Sequence, residues 1–351
     1  MTKEKNGKKD IKSMMPEELE KEFELVGLKR YRVFQVISWL ASGSLSFDEM
    51  TDLPKELRVY LKQNYKIINS KIAKKHVSPD GTTKFLLELP DGNCVESVLM
   101  KYKYGCAICV STQVGCRMGC RFCASSTGRF CRNLEVSEII SQIEVVQKSE
   151  NIKVSNITLM GIGEPMDNYE NVVKFLKIAS LPKGMNIGAR RVSISTCGIA
   201  EKIKEFADER LGTTLSVSLH AADDCSRDYL MPINRKYNLD CLMKFCRYYI
   251  LKTSRRISFE YMLLDGVNDS KRDALKISDL LRGMIAHVNL IPANNLEIDS
   301  FKKHIKPSSA EKIEKFAKTL LKLGLRTTVR RTLGADIGAS CGQLRARSLS
   351  L

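Results

Sequence analysis

"AICVSTQVGCRMGCRFC", residues 107–123, joins an apolar run to three cysteines in a row. Residues 107–111 read as a buried strand, because a short apolar run ends at polar and glycine residues. Cys116, Cys120 and Cys123 follow at spacing C-x3-C-x2-C. Close spacing with glycine between lets a loop wrap a metal.

Downstream of this stretch, strand-like and helix-like segments alternate. The strands are "NITLM", "RVSIS", "TLSVSLH", "ISFEYML" and "HVNLI", separated by helical patterns at 136–148, 171–179, 199–208, 239–252 and 271–283. A last helix at 309–323 places Ile313, Phe316, Ala317, Leu320 and Leu321 on one face and leads to the strand "RTTVRR". Repeated β/α units predict a parallel sheet, either open or closed as a barrel. "GIGEP" follows "NITLM", "TCG" follows "RVSIS", "TLSVSLH" ends at His220, and "PAN" follows "HVNLI". The C-terminal ends of parallel strands form one rim where ligands bind, so these segments and the cysteine row are expected to share it.

Upstream, "TKFLLEL" and "CVESVLM" flank the turn Pro90–Asn93 and predict a hairpin. From Pro16 to about Tyr65 the pattern is helical, with Val33, Val36, Ile37 and Leu40 at helical spacing and helix starts at "SFDEM" and "TDLPKEL". Residues 1–13 are polar and expected to fray. The chain therefore divides into a helical unit at 1–70, a β-hairpin linker at 71–104 and a β/α unit at 105–351.

The 351 residues are 43% hydrophobic, enough for a large core. A net charge of +17 and a pI near 9.3 favour a polyanionic partner, of which nucleic acid is the obvious one. Residues 1–20 are charged and lack the apolar stretch of a secretory signal, and no apolar run reaches membrane-spanning length. Twelve cysteines in such a chain point to a reducing cytoplasm, where clustered thiols mean metal or redox chemistry.

Two readings of the cysteine row compete. In one, Cys106 and Cys109 join Cys120 and Cys123 around zinc. Against it, residues three apart on a strand point to opposite faces, and no glycine between Cys106 and Cys109 permits a knuckle. In the other, Cys116, Cys120 and Cys123 hold a [4Fe-4S] cluster. Ligation of such a cube usually takes four cysteines, so three leave one iron open.

C-x3-C-x2-C after the first strand of a β/α series resembles the radical S-adenosylmethionine (SAM) superfamily. There the open iron chelates the amino and carboxylate groups of SAM, and one electron splits a C–S bond to give a 5′-deoxyadenosyl radical. "GIGEP" corresponds to that superfamily's Gly-Gly-Glu-like motif, which makes Glu164 the partner of the methionine ammonium. "CVSTQVGCRMGCRFC", "GIGEPMDN", "SISTCG", "SLHA", "MPIN", "GVND", "VNLIPAN" and "ADIGASCGQL" are together similar to the dual-specificity, RlmN-like methyltransferases that act on C2 of an adenine. The likeness runs from about Tyr31 to Leu344.

The resemblance implies an α/β fold, a partial (βα)6 barrel with a small N-terminal helical accessory domain that grips RNA. It implies a [4Fe-4S] cluster and two molecules of SAM per turnover, 23S rRNA and tRNA as substrates, and an external one-electron reductant of the flavodoxin kind, with no membrane partner. By the same resemblance Cys341 accepts a methyl group and becomes tethered to the RNA, Cys109 resolves the tether through a Cys109–Cys341 disulfide, and Glu96 takes the C2 proton. Gly163, Glu164, Ser195, Ser218, Leu219, His220 and Asn294 would contact SAM. The family usually carries Asp-Ala-Ala before its carrier cysteine, whereas this chain has Gly338-Ala339-Ser340, which predicts a looser loop. The rivals are a sister activity at adenine C8, against which "GEP" and "TVRRT" argue, and a non-catalytic zinc-dependent RNA-binding module.

Overall fold

The computed structural model describes residues 7–293 and 306–344. The N-terminal unit comprises β1 (Lys9–Asp10), α1 (Pro16–Glu24), α2 (Tyr31–Ala41), α3 (Lys55–Asn64) and β2 (Tyr65–Lys66), with β1 parallel to β2. Leu19, Phe23, Val33, Val36, Leu57 and Leu61 form its core. "SFDEM" makes only a 3-10 turn, Phe47–Glu49, and not the start of a helix. Both Phe47 and Met50 are buried, and side chains three apart eclipse in that tighter winding.

Residues 9–13 are not frayed. Ile11 and Lys12 are 2% and 4% exposed, because the Lys12 ammonium reaches the Glu144 carboxylate on α4 (Val136–Glu150). Lys12 Nζ also donates to Asn69 Oδ1 at 2.6 Å. Ser13 Oγ accepts from the Ser137 N–H at 3.0 Å, and Ser141 Oγ accepts from the Ser70 N–H at 2.7 Å. Partners so distant in sequence leave no local signal, so this end reads as a free tail until the chain is folded.

The main sheet begins with β3 (Lys71–Val77), β4 (Thr83–Glu88), β5 (Cys94–Tyr102) and β6 (Gly105–Cys109), paired antiparallel in sequence. The expected hairpin is β4–β5. The sequence reading does not single out β3, whose "KIAKKHV" is largely exposed and carries no apolar alternation. After β6 come a two-residue ribbon, β7 (Gln113–Val114) with β8 (Arg132–Asn133), and then β9 (Val154–Leu159), β10 (Val192–Thr196), β11 (Thr214–Ser218), β12 (Ile257–Leu263), β13 (Ala286–Pro292) and β14 (Thr327–Val329).

The order across the ten strands is β14-β13-β12-β11-β10-β9-β6-β5-β4-β3. Within this sheet every pairing from β6 to β14 is parallel. The crossovers are α4, α5 (Tyr169–Ala179), α6 (Ala200–Glu209), α7 (Asp224–Leu230) with α8 (Leu239–Thr253), α9 (Lys271–Leu280) and α10 (Ala310–Lys322). This is the expected α/β class. The sheet is open among the described residues, with β14 and β3 at its two edges. On α10, Ile313, Phe316, Ala317 and Leu320 face the core, but Leu321 is 54% exposed. At about 100° per residue, Leu321 lies outside the stripe that the other four define. Among the described residues no helix is long and apolar enough to cross a membrane.

Candidate active site

Cys116, Cys120 and Cys123 line one cavity at the C-terminal rim of the parallel strands. Gly163 and Glu164 from the loop after β9, Ser195 at the end of β10, and Ser218 and His220 at the end of β11 line the same cavity. The shared rim read from the sequence is present. Glycine makes it possible. A Cβ on Gly161 would lie 2.6 Å from the Val110 carbonyl oxygen, and one on Gly163, whose φ is +106°, would lie 2.6 Å from Gln113 Cβ. Only bare backbone lets "GIGEP" press against the segment that leads into the cysteine loop.

Glu164 is buried, and its two carboxylate oxygens accept the N–H groups of Met166 at 2.9 Å and Cys197 at 2.7 Å. Burial raises its pKa, and these donors oppose that rise. Glu164 itself lines the cavity. Burial pushes the Cys116 thiol up to about 12, and it raises those of Cys120 and Cys123 as well. Thiols in such surroundings keep their protons unless a cationic centre displaces them, so this donor set is suited to a metal cluster and poorly suited to free nucleophiles.

Among the described residues no three His, Cys, Asp or Glu side chains converge on the position of a single metal ion. The four-cysteine zinc reading requires such convergence, and Cys109 opens instead into a neighbouring cavity. A cubane cluster distributes its ligands over separate irons, which three cysteines around one cavity satisfy.

The ends of β10 and β11 are held by a residue that the sequence reading passed over. Arg227 on α7 is fully buried and donates to the carbonyl oxygens of Cys197 at 2.8 Å, Ser218 at 3.0 Å and Leu219 at 3.1 Å, and to Asn234 Oδ1 at 2.9 Å. Asn234 belongs to the "MPIN" motif, which was the available clue. Cys197, in the "TCG" segment expected on this rim, is a buried thiol of the cavity wall.

His220 takes a left-handed φ of +55°. Its Nδ1 accepts the Met262 N–H at 3.0 Å, so the neutral ring carries its proton on Nε2. Burial, helped by Arg227, pushes its pKa down to about 3. The ring packs edge-on to Phe122, between two of the clustered cysteines, with centroids 4.6 Å apart. The side chain of Leu219 is in the core and does not line the cavity. Asn294 lies outside the described residues.

A second cavity contains both Cys109 and Cys341, with Val98, Met100 and Tyr102 of β5. Cys341, Met160, Ile291 and Arg330 line both cavities, so Cys341 stands at their junction. Burial first, and then Cys341, push the Cys109 thiol up to about 11. Both cysteines are free thiols here.

The loop before Cys341 is held in place, contrary to the expectation from Gly338. Gly338 adopts φ +58°, and its carbonyl oxygen accepts from Lys84 Nζ at 3.3 Å. Ser340 Oγ donates to the Leu333 carbonyl at 3.0 Å, Ser78 Oγ to Asp336 at 2.7 Å, and the Gly334 N–H to Asp80 at 2.8 Å. Glu96 is buried on β5, on the same strand face as Val98 and Met100, and lies 3.4 Å from Lys84 Nζ. It lines neither cavity, and the same Lys84 Nζ reaches the Gly338 carbonyl of the Cys341 loop.

Comparison with known proteins gives one consistent picture. The model of the radical SAM superfamily matches residues 110–276, and that of the ribosomal RNA large subunit methyltransferase N-terminal domain matches residues 9–67. A "probable dual-specificity RNA methyltransferase RlmN" of Clostridium botulinum (strain Alaska E43 / Type E3) is 50% identical over 316 residues, 90% of each chain. Its namesake in Thermoanaerobacter sp. (strain X514) is 48% identical over 342 residues, 97% of this chain and 98% of that one. The crystal structure of a radical SAM methyltransferase from Sphaerobacter thermophilus superposes with a TM-score of 0.89 at 38% identity, covering 97% of this chain and 100% of the other.

Proposed function

The chain belongs to the RlmN family of radical SAM RNA methyltransferases, and from that premise we propose that it methylates C2 of an adenine in 23S rRNA and in tRNA, with Cys341 as the methyl carrier. Membership makes it a SAM-dependent enzyme whose cofactors are a [4Fe-4S] cluster and SAM. The observation that carries the finer reading is the position of Cys341, on the wall common to the cavity of the three clustered cysteines and the cavity of Cys109.

In this reading Cys116, Cys120 and Cys123 hold the cluster, and Glu164 receives the ammonium of SAM. Gly163, Ser195, Ser218 and His220 complete the wall around it, with Leu219 and Asn294 assigned by their motifs alone. The cluster with SAM supplies one-electron chemistry, which adenine C2 demands because an electron-poor ring carbon cannot displace a methyl group from a sulfonium.

The protein's own residues account for the rest. Cys341 Sγ loses its proton and gains the methyl in an ordinary displacement. Once that carbon is joined to C2, the RNA is tethered to Sγ through a methylene, and Glu96, assigned by its motif alone because it lines neither cavity, removes the C2 proton. Cys109 Sγ, as the thiolate, attacks Cys341 Sγ. The Cys341 S–C bond breaks with its electron pair passing to the methylene carbon, which takes up a proton to become the methyl group; methylated RNA leaves, and a Cys109–Cys341 disulfide remains for external thiols to reduce. Burial holds the Cys109 thiol at a raised pKa, which disfavours its thiolate in the free chain. A flavodoxin-like one-electron donor from outside the chain completes the scheme.

The test is an anaerobic assay of the cluster-loaded enzyme on rRNA fragments and on tRNA, with 2-methyl- and 8-methyladenosine separated. The 2-methyl isomer supports the reading, whereas the 8-methyl isomer or unmodified adenosine contradicts it.

A further inference from the structure

Tyr102 and Tyr104 stack with centroids 5.0 Å apart and planes 6° from parallel. They occupy a tight hairpin: Tyr102 pairs with Gly105 across the β5–β6 turn, leaving Lys103 and Tyr104 as its two loop residues. The inner ring, Tyr102, lines the cavity of Cys109 and Cys341. The outer ring, Tyr104, is 73% exposed. Arg331 lines the same cavity and is exposed, as is Lys103 between the two tyrosines, whereas Lys101 points to the other face of the sheet and pairs with Glu150 of α4. An aromatic stack thus runs from the two reacting cysteines to the surface, flanked by cations.

We propose that this pair is a nucleobase-binding ledge, on which a base adjacent to the target adenine stacks while the target enters the cavity. The proposal rests on the RNA-methylating reading above and extends it to a subsite. Three observations favour a nucleobase as the occupant. The outer face of Tyr104 is flat and open to solvent, and a base offers a matching π-face whatever its identity. The cations around it suit the phosphates on each side of such a base. A two-residue turn fixes the rings before binding, so little ordering cost is incurred. The sheet's stability has little use for a ring this exposed.

The experiment uses the cluster-loaded enzyme and a short RNA oligonucleotide bearing 2-aminopurine on the 5′ or the 3′ side of the target adenosine. On binding to wild type, stacking quenches the fluorophore at one of these positions. Tyr104→Ala is expected to abolish that quench and to weaken binding about ten-fold or more. Tyr104→Trp, which keeps a π-face, is expected to restore both. Unchanged quench and affinity in Tyr104→Ala would overturn the ledge, as would equal losses in Tyr104→Ala and Tyr104→Trp. The binding readout needs no turnover. A wild type that binds and quenches without producing methyladenosine would therefore sink the parent reading alone.

Discussion

The Ala124 N–H donates to the Gly342 carbonyl at 2.7 Å. The residue after the last clustered cysteine is thus joined to the residue after Cys341. Ser125 Oγ adds a bond of 2.7 Å to the Leu344 carbonyl. Both bonds span most of the β/α unit in sequence, and they make the position of Cys341 depend on the cysteine loop.

Ser125→Ala therefore probes placement. Its hydroxyl is buried, and removing it leaves the Leu344 carbonyl without that donor, at a cost of about 1–2 kcal/mol. Because Cys341 is displaced relative to bound SAM, kcat is expected to fall more than the KM for RNA. Denaturant titration and steady-state kinetics together check this. An equal loss of stability with unchanged kcat would show that the bond serves folding only.

Arg227→Met should be worse. It strips the donors from the carbonyls of Cys197, Ser218 and Leu219 in a fully buried place. Unsatisfied buried acceptors cost roughly 1–3 kcal/mol each, so a loss near ~3 kcal/mol is expected after relaxation. SAM affinity, measured by equilibrium dialysis, should drop as well, since two of these carbonyls belong to Cys197 and Ser218, which line the cavity.

How far could this be read in advance? The cysteine loop and "GIGEP" were legible because their chemistry is local, with close spacing, glycines and strand-to-loop transitions all lying within a few residues. The parallel strands were legible for the same reason, as short apolar runs between helical patterns. Arg227 was hidden, because a single arginine in "DCSRDYL" reads as part of a solvated face until its four acceptors are brought around it. Lys12 was hidden likewise, since its partner is 132 residues away. Tyr102 and Tyr104 look like ordinary strand and turn residues until the hairpin closes and aligns their rings.

His220 yields a pH prediction. Its pKa is near 3 when folded against an ordinary 6.5, so between those values the unfolded chain binds a proton that the folded one refuses. Stability from this group is complete above about pH 6.5 and falls as the pH drops toward 3, at about 1.4 kcal/mol per pH unit at most. Denaturant unfolding of the cluster-free chain between pH 7 and pH 5 should show this slope, and His220→Gln should lack it. A parallel decline in both proteins would place the titration elsewhere.

Lys12 and Glu144 form a buried ion pair that ties the N-terminal unit to α4. Lys12→Met leaves Glu144 buried without its counter-charge and is expected to cost about 3–5 kcal/mol. Lys12→Met combined with Glu144→Leu should recover most of that loss, because the desolvation of both charges is removed together. Thermal unfolding of the wild type, both single variants and the double variant tests the coupling, and additive losses would refute it.

The most direct test of Cys341 as carrier is the Cys109→Ala enzyme, loaded with its cluster under anaerobic conditions and given SAM, reductant and RNA. Digestion followed by mass spectrometry is expected to find adenosine joined through one carbon to the peptide containing Cys341, with no second turnover. Free methyladenosine at the wild-type yield, with Cys341 unmodified, would contradict the account.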